Sequence, residues 1–176
     1  MDASTVATVF ALALFAGLVG IVVAVFNESV RALVRRRALM IAGSVAVVAT
    51  LGSLYFSEVA DFIPCKLCWY QRIAMYPLAV LLVMAAVRRD QSMLLYVRVI
   101  ALFGLAVAAY HVWIQWFPEK SNFCEFDNPC SARWVEAFDR VTIPQMAALS
   151  FVLIIATATI GLRPSAGSQA SEESVA

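Results

Sequence analysis

Five apolar runs, each long enough to cross a hydrocarbon core as a helix, divide this 176-residue chain. They lie at 6–26, 38–56, 70–87, 95–113 and 143–162, and a bilayer core calls for about 17–25 residues per helical crossing. Backbone polar groups in lipid must be satisfied within the protein, which a helix of that length does by itself. The runs therefore predict an all-α integral membrane protein. A composition 62% hydrophobic and 14% charged, with a mean hydropathy of +0.83, excludes an ordinary soluble domain, which is about 45–50% apolar. A formal net charge of +1 without a basic face excludes nucleic acid as a partner and leaves membrane lipid as the surrounding medium.

The positions of the charges orient the runs. Arg31, Arg35, Arg36 and Arg37 follow the first, Arg88, Arg89 and Arg98 flank the turn after the third, and Arg163 follows the last. By the positive-inside rule these regions are expected on the cytoplasmic side. The connections 57–69 and 114–142 then face outward, and they hold all four cysteines. An oxidising exterior permits disulfides, so the cysteines read as two redox-competent pairs or as two inert structural bridges. Before the first run stands only Asp2, its basic residues come after it, and no small-residue cleavage pattern follows. It is expected to be an anchor helix with its N-terminus outside rather than a signal peptide. The tail 164–176, rich in Ser, Ala and Glu, cannot bury a core and is expected to be disordered.

The chemistry centres on the Cys-x-x-Cys of Cys65 and Cys68. Pro64 ends any preceding helix and sets Cys65 just before the next one. The helix terminus favours a thiolate, and this reasoning assigns the reactive thiol to Cys68. Trp69, Tyr70, Gln71 and Arg72 follow within about one helical turn. A cation this deep costs roughly 2.5–3.5 kcal/mol at a helix centre and less near the interface, so Arg72 calls for a partner, unless it snorkels to headgroups beside an aromatic belt of Trp69 and Tyr70. Cys124 and Cys130 enclose a short excursion with Asn128 and Pro129 as turn residues. The polar residues around them, Glu119, Lys120, Glu125, Asp127, Arg133 and Glu136, would keep that pair accessible to a soluble protein. Trp134, Phe138 and Val141 suit a short helix lying on the membrane surface. His111, the single histidine, is expected at the depth of Arg72, where it can bond a carbonyl ligand, pass a proton, or simply pack. Gln115, four residues later, shares its helix face. The cysteine spacing is too wide for a zinc knuckle, and no metal is expected.

The run Cys65-Lys-Leu-Cys-Trp-Tyr-Gln-Arg-Ile-Ala-Met-Tyr-Pro-Leu78 resembles the disulfide bond formation protein B family (DsbB), in particular its BdbC-like branch. The stretch from Trp134 through Phe138 to Thr142-Ile143-Pro144 looks like the entry to that family's last helix, and the likeness covers most of 38–162. The resemblance implies a four-helix transmembrane bundle in the bacterial inner membrane with its redox loops on the extracytoplasmic side. It also implies a thiol:quinone oxidoreductase using ubiquinone or menaquinone, which re-oxidises a secreted thioredoxin-fold thiol oxidase like DsbA or BdbD. By motif position, Cys68 would contact the quinone and Cys65 would exchange with the loop pair. Arg72 and His111 would bind the quinone, Cys124 would meet the partner, and Cys130 would attack Cys65. The chain departs from the family in its first helix, which is additional, and in the close spacing of Cys124 and Cys130, which leaves their roles interchangeable. The expected organisation is an additional helix with a basic linker over 1–37, a redox core over 38–162 and a tail over 163–176. Two rivals are a relative of vitamin K epoxide reductase, whose loop cysteines precede the Cys-x-x-Cys rather than follow it, and a non-catalytic scaffold with structural disulfides.

Overall fold

The computed structural model describes residues 2–118, 124, 129–138 and 140–162. Five long helices account for the five runs: α1 (Ala3–Phe26), α3 (Ala38–Glu58), α4 (Lys66–Arg88), α5 (Met93–Trp116) and α6 (Ile143–Leu162). A short helix, α2 (Glu28–Arg36), and a two-residue hairpin of β1 (Glu136–Ala137) and β2 (Val141–Thr142) complete the order. Residues 119, 120, 125, 127 and 128, Arg163 and the tail 164–176 lie outside the described residues, and with them the expectations placed there.

Helices α3 to α6 form an antiparallel ring, each packed on the next and α6 closing back on α3, while α1 leans on α6 from outside the ring. No hydrophobic effect drives helices together in lipid, so close packing of small side chains does that work. Ala38, Ala42 and Ala46 present such a stripe on α3, and Ala74, Ala85, Ala101, Ala108 and Ala158 continue it through the common core. Gly104 on α5 makes room for the fully buried ring of Phe151 on α6, since a Cβ there would stand 2.3 Å from the ring.

The basic linker after α1 is helical, because the Asn27 side chain caps it by accepting from the N–H groups of Ser29 and Val30 at 3.0 and 3.2 Å. One expectation is corrected. The segment of Trp134, Phe138 and Val141 is a hairpin and not a surface helix. Glu136 pairs with Thr142 and Ala137 with Val141, and Thr142 and Val141 are β-branched residues that suit a strand. The Arg140 N–H donates to the Ala137 carbonyl at 3.2 Å to close the turn, with Phe138 in the left-handed region at φ 55°. The hairpin leads directly into α6 at the end of the bundle that carries the cysteines.

Candidate active site

Three helices bring side chains to one level near the cysteine end. Counted at about 1.5 Å per residue, Arg72 lies about 9 Å along α4 from its start. Ser53 and His111 each lie about 8 Å from the ends of α3 and α5. Antiparallel packing of neighbours makes these depths coincide, which is why a motif on one helix finds partners on the others.

Cys65 is the N-cap of α4, and its sulfur accepts the N–H of Cys68 at 3.4 Å. The two sulfurs are 3.0 Å apart. The helix terminus thus acts on Cys65, and the assignment of the reactive thiol to Cys68 is corrected: the cap residue, not the residue inside the first turn, receives the free N–H. Cys65 is held far below the ordinary thiol value of 9.0, at about 4, chiefly by the hydrogen bond with Cys68 and further by the His111 ring, against the opposing effect of burial.

Cys124 and Cys130 form a disulfide, as their placement suggested. Cys130 is buried beside Cys65, whereas Cys124 is partly exposed. The sulfurs of Cys65 and Cys130 and a ring nitrogen of His111 all lie within 4.8 Å of one another. His111 is 2% exposed and its bonds define its tautomer. The Cys130 carbonyl can only accept, so Nε2 at 2.9 Å carries the hydrogen, and Nδ1 accepts from the Gln71 amide at 3.0 Å. The same Nε2 stands 3.7 Å from the Cys65 sulfur. Gln115 accepts from the Thr142 hydroxyl at 2.8 Å and donates to the Ala132 carbonyl at 3.4 Å, fixing the Cys130 segment to α5.

Behind the cysteines, α1, α3, α4 and α6 enclose a mainly apolar cavity of about 110 Å³ that includes Cys68, Arg72 and Tyr76 but not Cys65. A smaller chamber on the other side holds Cys65, Cys68, His111 and Cys130. Cys68 faces both, and so does Trp134. Arg72 does not snorkel. Its Nε donates to the Ser53 hydroxyl at 2.9 Å and its Nη2 to the Ser53 carbonyl at 2.8 Å, and the guanidinium lies 5.3 Å from the Trp69 ring centroid. Among the described residues Nη1 carries no hydrogen bond. Tyr76, one turn further along α4, lines the same cavity with a buried hydroxyl that has no partner among the described residues. A buried unsatisfied hydroxyl is costly, and two donors in an apolar slot fit a planar group bearing carbonyl oxygens. His111 lines the smaller chamber with the thiols, not this cavity. Sequence reasoning missed Ser53 and Tyr76 and gave Gln71 no role. Polar residues in apolar helices at the depth of Arg72 were the available signal.

In the reduced protein, alkylation of Cys65 is expected to persist far below pH 9, because a lowered pKa keeps the reactive thiolate present to lower pH. His111→Ala removes a group that stabilises the thiolate and should move the midpoint upward. Mass spectrometry of the alkylated peptide against pH measures both, and coincident curves would exclude a role for the histidine in that acidity.

The family described as Disulfide bond formation protein DsbB matches residues 35–161. The chain is 44% identical over 113 residues to Disulfide bond formation protein C of Bacillus subtilis, covering 63% of this chain and 82% of that one. It is 39% identical over 121 residues to a probable disulfide formation protein of Oceanobacillus iheyensis, covering 67% and 83%. It is 42% identical over 120 residues to a probable disulfide formation protein C 1 of Bacillus anthracis, covering 66% and 86%. No solved structure matches the chain.

Proposed function

We infer the reaction from one premise: the chain belongs to the DsbB family of disulfide bond formation proteins, and is a multi-pass membrane oxidoreductase of disulfide formation. In our reading it re-oxidises a secreted thioredoxin-fold thiol oxidase of the DsbA or BdbD kind and passes the electrons to ubiquinone or menaquinone. The observation that carries this reading is the two-sided placement of the Cys-x-x-Cys pair, with Cys65 beside Cys130 and Cys68 lining the Arg72 cavity. A structural bridge has no use for that arrangement. The order of the pairs along the chain also sets it apart from vitamin K epoxide reductase relatives.

The partner's thiolate attacks Cys124, the more exposed sulfur of the loop disulfide, and Cys130 leaves as the thiolate. The second partner thiol then displaces Cys124, so the partner leaves oxidised and the loop holds two thiols. Cys130 attacks Cys65 of the Cys65–Cys68 disulfide, with Cys68 leaving. Cys124 then attacks Cys130, which restores the loop disulfide and frees Cys65. Two electrons and two protons now reside on Cys65 and Cys68. The acidity of Cys65 makes it a good leaving group in the last exchange, and the Nε2–H of His111 is close enough to steady its negative charge. A quinone in the cavity would supply the two-electron acceptor that returns Cys65 and Cys68 to the disulfide. Arg72 and Tyr76 would hold its carbonyl oxygens, the guanidinium favouring negative charge there.

The family core corresponds in this reading to 38–162, with 1–37 added before it and 163–176 after it. The cysteine end faces the outside of the bacterial inner membrane. The test is quinone reduction by the purified protein, given a reduced thioredoxin-fold oxidase, in wild type and Cys68→Ser. Turnover that disappears in the variant is expected. Absence of turnover in wild type, with both cysteine pairs inert to exchange, would favour the scaffold.

A further inference from the structure

The DsbB match begins at residue 35, so α1 lies outside it. Yet α1 contributes Phe10 and Leu14 to the wall of the cavity that contains Cys68, Arg72 and Tyr76. We propose that α1 is part of the quinone site, with Phe10 as a residue that positions and selects the quinone. The proposal rests on the quinone reading above and adds to it an element that the family match does not contain.

Three observations support it. First, α1 is docked, not loosely tethered. Ala7, Ala11 and Leu14 form a buried stripe packed with Phe56, Met146 and Leu153, and Gly17 lets α6 approach so closely that a Cβ there would meet Leu153 at 3.1 Å. Small residues at helical spacing are what permit such an approach in lipid. Second, the Phe10 ring reaches across to α3. A Cβ on Gly52 would stand 2.5 Å from its Cζ, so the glycine is the seat of the ring. The next residue, Ser53, supplies both acceptors that hold Arg72. Third, the levels agree: Phe10 lies about 10 Å along α1 from its start, against about 9 Å for Arg72 on α4.

The opposite side of α1 is exposed at Val9, Leu12 and Val19, the face it would turn to lipid. A single helix therefore stands between the bilayer and the cavity on this side. Its aromatic ring narrows the space available to a planar head group, and its aliphatic neighbour Leu14 suits the start of an isoprenoid tail. An apolar pocket discriminates by fit, one methylene of contact being worth about tenfold or more. Because Phe10 touches none of the sulfurs, its removal should act on quinone binding and leave the chemistry at saturation intact.

The experiment measures quinone reduction by the full chain in lipid nanodiscs, with a reduced thioredoxin-fold oxidase as donor and either a short-chain ubiquinone or a short-chain naphthoquinone as acceptor. Phe10→Ala is expected to raise KM for both about tenfold with kcat changed less than about twofold, and to shift the preference between the two ring sizes. Leu12→Ala, on the exposed face, should leave both constants unchanged. If Phe10→Ala does not fold, Phe10→Leu gives the same split with a smaller KM change. Unchanged KM and unchanged preference in the folded Phe10 variant, with active wild type, would overturn the proposal and leave the quinone reading standing. Wild type that reduces neither quinone would overturn both.

Discussion

Cys130→Ser is expected to stop turnover driven by a protein dithiol, by on the order of a thousandfold or more, as loss of a covalently acting group does. Cys130 is 2% exposed and its sulfur lies within 4.8 Å of that of Cys65, so no other thiol among the described residues is placed to pass electrons inward from the loop. Cys124 survives in this variant as a lone thiol, so the reduced oxidase finds no loop disulfide to attack. Cys124 should stay open to maleimide labelling in the presence of the reduced oxidase, with the Cys65–Cys68 pair still oxidised. A small dithiol that reaches Cys65 and Cys68 directly should still support quinone reduction. Rapid turnover with the protein donor would remove the relay.

Arg72→Leu carries the second large effect. Arg72 is 9% exposed, donates two hydrogen bonds to Ser53 and lies over the face of Trp69, a preorganised cation in an apolar wall. Loss of one fixed donor to a developing oxyanion commonly costs about 10²–10³ in kcat, and a loss of that size is expected here with either quinone. Lysine should not restore the rate, since it lacks the planar fork that engages Ser53 through two nitrogens. The exchange from partner to Cys65, followed without quinone, should be unaffected, because it takes place in the other chamber. Stopped-flow thiol exchange beside steady-state quinone reduction separates the two halves. Equal loss in both would mean that Arg72 supports the fold rather than the acceptor.

The helices were legible because a crossing needs a long apolar run, and a run of that length admits few other structures. The cysteine motif was legible because thiols at a helix start have few uses. What stayed hidden depends on which residues meet across helices. Ser53 becomes the anchor of Arg72 only through the pairing of α3 with α4, and Gln71 becomes the partner of His111 only through the pairing of α4 with α5. The apolar residues Trp134, Phe138 and Val141 fit a helical face as well as a hairpin, and the choice followed from strand pairing of 136–137 with 141–142. The acidity of Cys65 was missed by three residues, because capping places the free N–H groups around the residue before the helix. Trp134 gave no sign of stacking on Phe62, 5.7 Å away between centroids, or of Phe62 stacking on Phe56 at 6.0 Å. Together these rings tie the hairpin segment to α3.

The single hydrogen on Nε2 of His111 has two claimants, the Cys130 carbonyl at 2.9 Å and the Cys65 sulfur at 3.7 Å. The carbonyl of the loop takes the stronger share of it and the sulfur the weaker. The seat of the loop and the acidity of Cys65 thus draw on one proton.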